Sequence, residues 1–158
     1  LVDTAKMTSL MFFVLFGALM FSNFVNLAGM PEDLKSVILS VGARPEFVLL
    51  VIFVIYLLLG MVLESLSMML LTVPIFYPVV ASLGVDLIWF GIFVVVAIEI
   101  SLITPPVGLN VFVLKTVIRD IDTNTIFKGV MPFVLIDIVR ILLLMALPII
   151  ALLIPNSM

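Results

Sequence analysis

An apolar segment running from Trp89 to about Ile118 is interrupted at its middle by Ile103-Thr104-Pro105-Pro106-Val107-Gly108. Two adjacent prolines remove two helical N–H donors and displace the carbonyls a turn earlier. The residue before a proline is also pushed out of the right-handed helical region, so no continuous helix passes through. Backbone left open in hydrocarbon is costly, and at bilayer depth it persists only where it is buried in protein or lines a watery site. If Trp89 marks one membrane interface, the break lies about fifteen residues on, roughly 22 Å deep. That is a depth at which an ion or substrate would be held.

The rest of the chain agrees that lipid is the solvent. Hydrophobic residues make up 65% of it, and apolar stretches approaching or exceeding the length of a membrane span recur throughout. Strand alternation is absent and lipid forbids open sheets, so the expected class is an all-α integral membrane protein. There is no His and no Cys, which removes the usual zinc, haem and thiol chemistries and any disulfide framework. A hydrolase or redox enzyme is therefore disfavoured, and no cofactor is expected. The net charge of -3 is dispersed, without the basic cluster that nucleic acid would select. The chain opens on Leu1-Val2-Asp3 with no initiator Met or signal-peptide pattern, and a segment of a longer polypeptide is the expectation.

One membrane domain over 1–158 is expected, in four parts. A transmembrane helix over 8–29 carries Gly17, Ser22, Asn23 and Asn26 in its second half, a face that needs protein or water. A polar loop follows, whose centre, Leu34 to Val41, reads as an interfacial helix. The region 47–83 holds two apolar arms separated by Glu64-Ser65-Leu66-Ser67. The arms are about seventeen and sixteen residues long, the short end of the spanning range, so two full spans and a re-entrant hairpin remain equally open. The broken helix occupies 86–119, and a last transmembrane helix 130–154 is stopped by Pro155. Lys6, Lys115, Arg119 and Lys128 share one side if the first span, the broken segment and the last span each cross once, which makes that side cytoplasmic.

Three constellations carry chemistry. The break gives one half-helix ending near Ser101 to Ile103, whose carbonyls suit a bare cation, and another beginning near Pro106, whose N–H groups suit an anionic solute; Thr104 and Asn110 add side-chain oxygens. A kinked structural helix is the plainer alternative. Glu64, Ser65 and Ser67 form a dense oxygen cluster of the kind hard cations such as sodium prefer, or else a wet surface turn. Ser65, Ser67 and Thr104 are expected to converge on one cation, with carbonyls from Ser101 to Ile103 completing its shell. Glu99 is the deepest carboxylate of the broken segment, a proton or cation site or simply a hydrogen-bonded acid. Asp137 and Arg140, at i and i+3 in the last span, read as a structural ion pair.

Gly60-Met61-Val62-Leu63-Glu64, then Pro74 and Pro78, then Trp89-Phe90-Gly91, then Glu99-Ile100-Ser101-Leu102-Ile103-Thr104-Pro105-Pro106-Val107-Gly108-Leu109-Asn110, resemble the large membrane subunit of TRAP transporters, in its C-terminal portion. These are tripartite, binding-protein-dependent secondary transporters of the ion transporter superfamily. The resemblance implies two inverted repeats, each giving a re-entrant hairpin and a broken helix to a moving transport domain. It places the hairpin at 47–83 with its tip near Glu64 to Ser67. It implies a sodium site between tip and break, with Glu64, Pro105, Pro106, Val107, Gly108 and Asn110 close to the substrate. Ala97 and Ser101 stand where Asn and Gly are common in the family, and Ser101 would crowd or supplement the cation site.

The expected function is sodium-coupled import of small organic acids, dicarboxylates or sialic acid among them, by an elevator-type movement in a bacterial or archaeal inner membrane. Expected partners are a periplasmic substrate-binding protein and a small membrane subunit, with Na+ as coupling ion. The alternatives are a stand-alone sodium–carboxylate symporter, a proton antiporter using Glu99, or a structural membrane anchor. A second hairpin and break upstream, in inverted order, would favour transport over anchoring.

Overall fold

The computed structural model describes residues 1–105, 108–118 and 120–157, which are helical with no strand among the described residues. α1 (Val2–Leu27) is followed by α2 (Met30–Val41), α3 (Pro45–Leu59), α4 (Ser65–Ser82) and α5 (Leu87–Ile103). Then come α6 (Leu109–Val117), α7 (Thr123–Ala146), α8 (Ile149–Leu152) and a 3-10 turn at Pro155–Ser157. Pro31 and Pro45 stand in first helical turns, where a missing N–H has no partner to lose. Asp86 caps α5, its carboxylate accepting from Ile88 N and Trp89 N, both at 2.9 Å. Asp122 caps α7 in the same way through Asn124 N. α7 thus begins at Thr123, ahead of position 130, and stops at Ala146 because Pro148 cannot continue it. The interfacial helix expected over Leu34 to Val41 falls within α2.

α5 is the centre of the packing. Trp89, Phe90, Phe93, Val94, Val96, Ala97, Ile98 and Ile100 are buried, while Ile88, Gly91, Val95 and Glu99 form one exposed stripe. α3 and α4 pack on it as a hairpin joined by the turn 60–64, through Val48, Leu49, Ile52, Phe53, Tyr56, Met68, Phe76 and Val80. α1 and α2 cover the other side of α4, and α7 closes on α5 through Ile141 and Leu144. Within the hairpin, Thr72 Oγ1 donates to the Met68 carbonyl at 2.7 Å, so the 2.6 Å contact with Tyr56 is the phenol donating to Thr72. Both buried hydroxyls thus find partners within the chain.

α1, α4 and α7 are long and apolar enough to cross a membrane, while α3 and α5 are shorter apolar helices. Broad apolar surface remains on α1 and α7, including Phe13, Phe24, Phe133 and Ile136. In lipid this surface needs no further partner.

Trp89, near the start of α5, is 3% exposed and stacked on Phe93 with ring centroids 5.4 Å apart. Its indole N–H donates to the Leu144 carbonyl at 3.1 Å. The reason lies in α7: the i+4 donor for that carbonyl would be residue 148, a proline without an N–H. Trp89 supplies the missing hydrogen and ties the start of α5 to the end of α7. Trp89→Phe should therefore lower unfolding stability in detergent by about 1–3 kcal/mol, the cost of an orphaned buried acceptor. Adding Pro148→Ala, which restores an N–H four residues on, should recover part of that loss; no loss in Trp89→Phe would contradict the assignment.

Candidate functional site

The hairpin turn begins where α3 ends. Val62 N and Leu63 N both donate to the Leu59 carbonyl, at 3.0 and 2.8 Å, and the chain then enters α4 at Ser65. Glu64 caps that helix: its carboxylate accepts from Leu66 N at 3.2 Å, Ser67 N at 2.7 Å and Ser67 Oγ at 2.7 Å. An acid at the positive end of a helix is favourable twice, by hydrogen bond and by dipole. The capping role was readable from an acid directly preceding a helical run, and reading the patch only as a cluster of oxygens missed it. Glu64, Leu66 and Ser67 line a cavity of about 250 Å³ against Met7, Leu10, Met11 and Val14 of α1. Ser65 and Ser67 are half-buried there.

The break begins at Thr104, which is extended (φ −79°, ψ 133°) as a residue before proline must be. Pro105 and Pro106 cannot supply the i+4 donors that the Ser101 and Leu102 carbonyls would have in a continuous helix. Thr104 Oγ1 donates to the Ile100 carbonyl at 2.6 Å. Gly108 is buried in left-handed backbone at φ 54°, and a Cβ there would lie 3.3 Å from the Thr104 carbonyl oxygen and 3.4 Å from that of Ile103. The chain thus folds back on the end of α5 before α6 starts, and only glycine combines this φ with this approach. α6 has no side-chain cap; Asn110, in its first turn, is exposed. Pro105 lines a groove with Asn124, Phe127, Lys128 and Met131 of α7. Pro106 and Val107, expected near the substrate, lie outside the described residues.

Turn and break meet directly. Gly60, buried, rests on Ser101 so closely that a methyl group at 60 would overlap the Ser101 Cβ and Oγ. Ser101 is fully buried, and its hydroxyl donates to the Ile98 carbonyl at 2.6 Å. Ser67, Ser101 and Thr104 each hand their hydroxyl hydrogen to a neighbour in their own element. What each oxygen can still offer is lone pairs, the capacity a cation uses. Ile103, the last residue of α5, is half-buried at the same end.

Arg140 forms a second polar centre. Its Nη2 lies 2.7 Å from Glu99 Oε2 on α5 and 3.1 Å from Asp137 Oδ1 one turn back on α7. Asp137 is thus paired at i, i+3, and Glu99 is a second partner that helical spacing alone could not reveal. The signal was arithmetic: two acids and one base within apolar helices, where a charge seeks a partner. Among the described residues no acceptor meets the buried Nε of Arg140.

Helical elements among the described residues, three of them of membrane-spanning length, together with a helical hairpin packed on a proline-broken helix, define a multi-pass membrane protein. Residues 1–150 match the family model described as tripartite ATP-independent periplasmic transporter, DctM component, and the chain belongs to that family. It is 32% identical over 156 residues to the C4-dicarboxylate TRAP transporter large permease protein DctM of Pseudomonas aeruginosa, covering 99% of this chain and 36% of that protein. It is 30% identical to the sialic acid TRAP transporter large permease protein SiaM of Vibrio cholerae, over 98% of this chain and 36% of the relative. The 2,3-diketo-L-gulonate TRAP transporter large permease protein YiaN of Escherichia coli is 29% identical over 86% of this chain and 32% of the relative. The chain therefore spans about a third of the length of these relatives.

Removing Arg140 and removing Glu99 should differ. Arg140→Ala leaves two carboxylates with no counter-charge, each costing ~2.5–3.5 kcal/mol at membrane depth, whereas Glu99→Gln leaves a neutral Asp137–Arg140 pair. Monodisperse protein recovered from membranes should fall several-fold for Arg140→Ala and little for Glu99→Gln. Equal yields would contradict this account of the cluster.

Proposed function

We propose that this chain is the C-terminal repeat of a sodium-coupled importer of small organic acids, the large permease subunit of a tripartite system. The observation that carries the reading is the seating of the 60–64 turn on the end of α5 at Gly60 and Ser101. α3 has 15 residues and α5 has 17. At ~1.5 Å per residue these reach roughly 22 and 25 Å, short of a ~30 Å hydrocarbon core. The cavity beside Glu64 and Ser67 is walled by Met7 to Val14, part-way along the 26-residue α1 and at neither of its ends. Both features support a re-entrant hairpin whose tip lies within the membrane beside the break.

In this reading Ser65, Ser67 and Thr104 offer hydroxyl oxygens to Na+, and the carbonyls of Ser101 and Ile103 complete the shell. The solute carboxylate is assigned to the start of α6 at Gly108 and Asn110, with Pro105 alongside, because Glu64 already occupies the start of α4. Glu64 then borders the substrate without binding its carboxylate. The ion orders the tip, the ordered tip binds the solute better, and the coupling is reciprocal. Hairpin and broken helix would move against a scaffold in an elevator-type step. The names of the relatives share an acid as solute, and their tripartite class supports a periplasmic substrate-binding protein and a small membrane subunit as partners in a bacterial inner membrane. Glu99, held by Arg140, is assigned no proton-carrying role.

Uptake of labelled succinate and sialic acid by the intact permease in liposomes, with its partners and with or without a sodium gradient, tests the reading. Thr104→Ala should raise the sodium concentration for half-maximal uptake by about 3- to 10-fold, the equivalent of ~0.5–1.5 kcal/mol for one polar contact. Unchanged sodium dependence would overturn the site.

A further inference from the structure

Gly60 is glycine for a reason its own backbone does not supply. Its φ of −68° and ψ of −10° are open to any residue. Only the space around it excludes a side chain: a methyl there would overlap Ser101 Cβ and Oγ, with the Tyr56 carbonyl oxygen at 3.2 Å the next neighbour. Ser101 has little freedom to yield. It is wholly buried, its hydroxyl is anchored on the Ile98 carbonyl, and Ile98 and Ile100 beside it are buried as well.

We infer that Gly60 and Ser101 form a matched positioning pair, in which the absent side chain at 60 and the small hydroxymethyl at 101 set the distance between hairpin tip and broken helix. The inference rests on the proposed sodium reading and goes beyond it: the side chains at 60 and 101 set the spacing of the ligands, a role separate from the lone pairs that the Ser101 carbonyl offers the ion. The lever is mechanical. Glu64 ties the start of α4 together through its three hydrogen bonds, so Ser65 and Ser67 follow any displacement of the turn as one unit. Thr104 follows α5, three residues beyond Ser101. Pushing Gly60 away from Ser101 therefore opens the gap between two sets of oxygens that must close on one small ion. Interiors this well packed do not absorb an added methyl without moving something.

The pair makes a prediction that a merely crowded core does not: the damage at 60 is repaired at 101. With the Ser101 Cβ and Oγ removed, the nearest of the three closest contacts left to a Cβ at 60 is the Tyr56 carbonyl oxygen at 3.2 Å, which a shift of a few tenths of an ångström accommodates. The test uses the intact permease purified in detergent as wild type, Gly60→Ala, Ser101→Gly and the double variant. NaCl is titrated against choline chloride at constant ionic strength, and thermal unfolding is followed. Gly60→Ala should lower the midpoint in choline chloride and raise the NaCl needed for half-maximal stabilisation about tenfold or more, since a misplacement near 1 Å at a positioned site costs up to ~100-fold. The double variant should return both quantities to within about threefold of Ser101→Gly, the non-additivity expected of residues in contact.

If Gly60→Ala cannot be recovered folded, a double variant that folds and responds to sodium supports the pair, and one that fails as well overturns it. Wild-type protein stabilised by sodium alongside a Gly60→Ala variant of unchanged sodium requirement overturns the pair while leaving the cation reading intact. Midpoints that fall and recover without any shift in sodium requirement make the contact structural only and also overturn it. Wild-type protein indifferent to NaCl over choline chloride overturns the cation reading itself, and the positioning role with it.

Discussion

In hydrocarbon a freed backbone carbonyl has no water to turn to, and the places where this chain must free one decide how its helices meet. Pro148 frees the Leu144 carbonyl, and the indole of Trp89 is brought from another helix to meet it. Pro105 and Pro106 free the carbonyls of Ser101 and Leu102, and here the chain responds with close approach: Gly108 folds back toward Ile103 and Thr104, and Gly60 closes down on Ser101. The hairpin's own turn has the same problem in N–H groups, and Glu64 answers it from within the segment. Beside the buried Tyr56–Thr72 pair, these polar contacts are local repairs to helix ends.

That arrangement is what lets the proposed cation site do without a dense cluster of charge. Around the break the offered groups are hydroxyls that have already donated their hydrogens and a helix end whose next donors are prolines. Such groups present lone pairs with no formal charge, which suits a weakly bound monovalent ion that must enter and leave. Glu64 brings one carboxylate to the turn, where it is held by Leu66 and Ser67, while Arg140, Glu99 and Asp137 form a separate charge cluster between α5 and α7.

Much of this was legible in the sequence because prolines and charges in apolar runs are conspicuous. The break at Thr104 to Gly108, the oxygen-rich turn at Glu64 and the Asp137–Arg140 spacing could be read directly, and the Thr-Pro-Pro-Val-Gly-Leu-Asn run led to the family. What escaped was everything set by distance between helices. Periodicity cannot report that Glu99 reaches Arg140 across forty-one positions, or that Trp89 serves a carbonyl fifty-five residues away. Gly60 looked like an ordinary member of a motif, and its reason became visible only with Ser101 against it. The last helix was misjudged at both ends for a local reason, since Asp122 and Pro148 were passed over in favour of the more hydrophobic stretch between 130 and 154.

The central claim is that the hairpin turn and the proline break form one polar centre inside the membrane. A structure of the intact permease in lipid nanodiscs with sodium present tests it most directly. The account predicts Gly60 resting on Ser101, the 60–64 turn within the hydrocarbon, and density for one ion between the Ser65–Ser67 turn and Thr104. A turn lying among the lipid headgroups, or separated from Thr104 by more than ~10 Å, a gap too wide for one ion's shell, would contradict it.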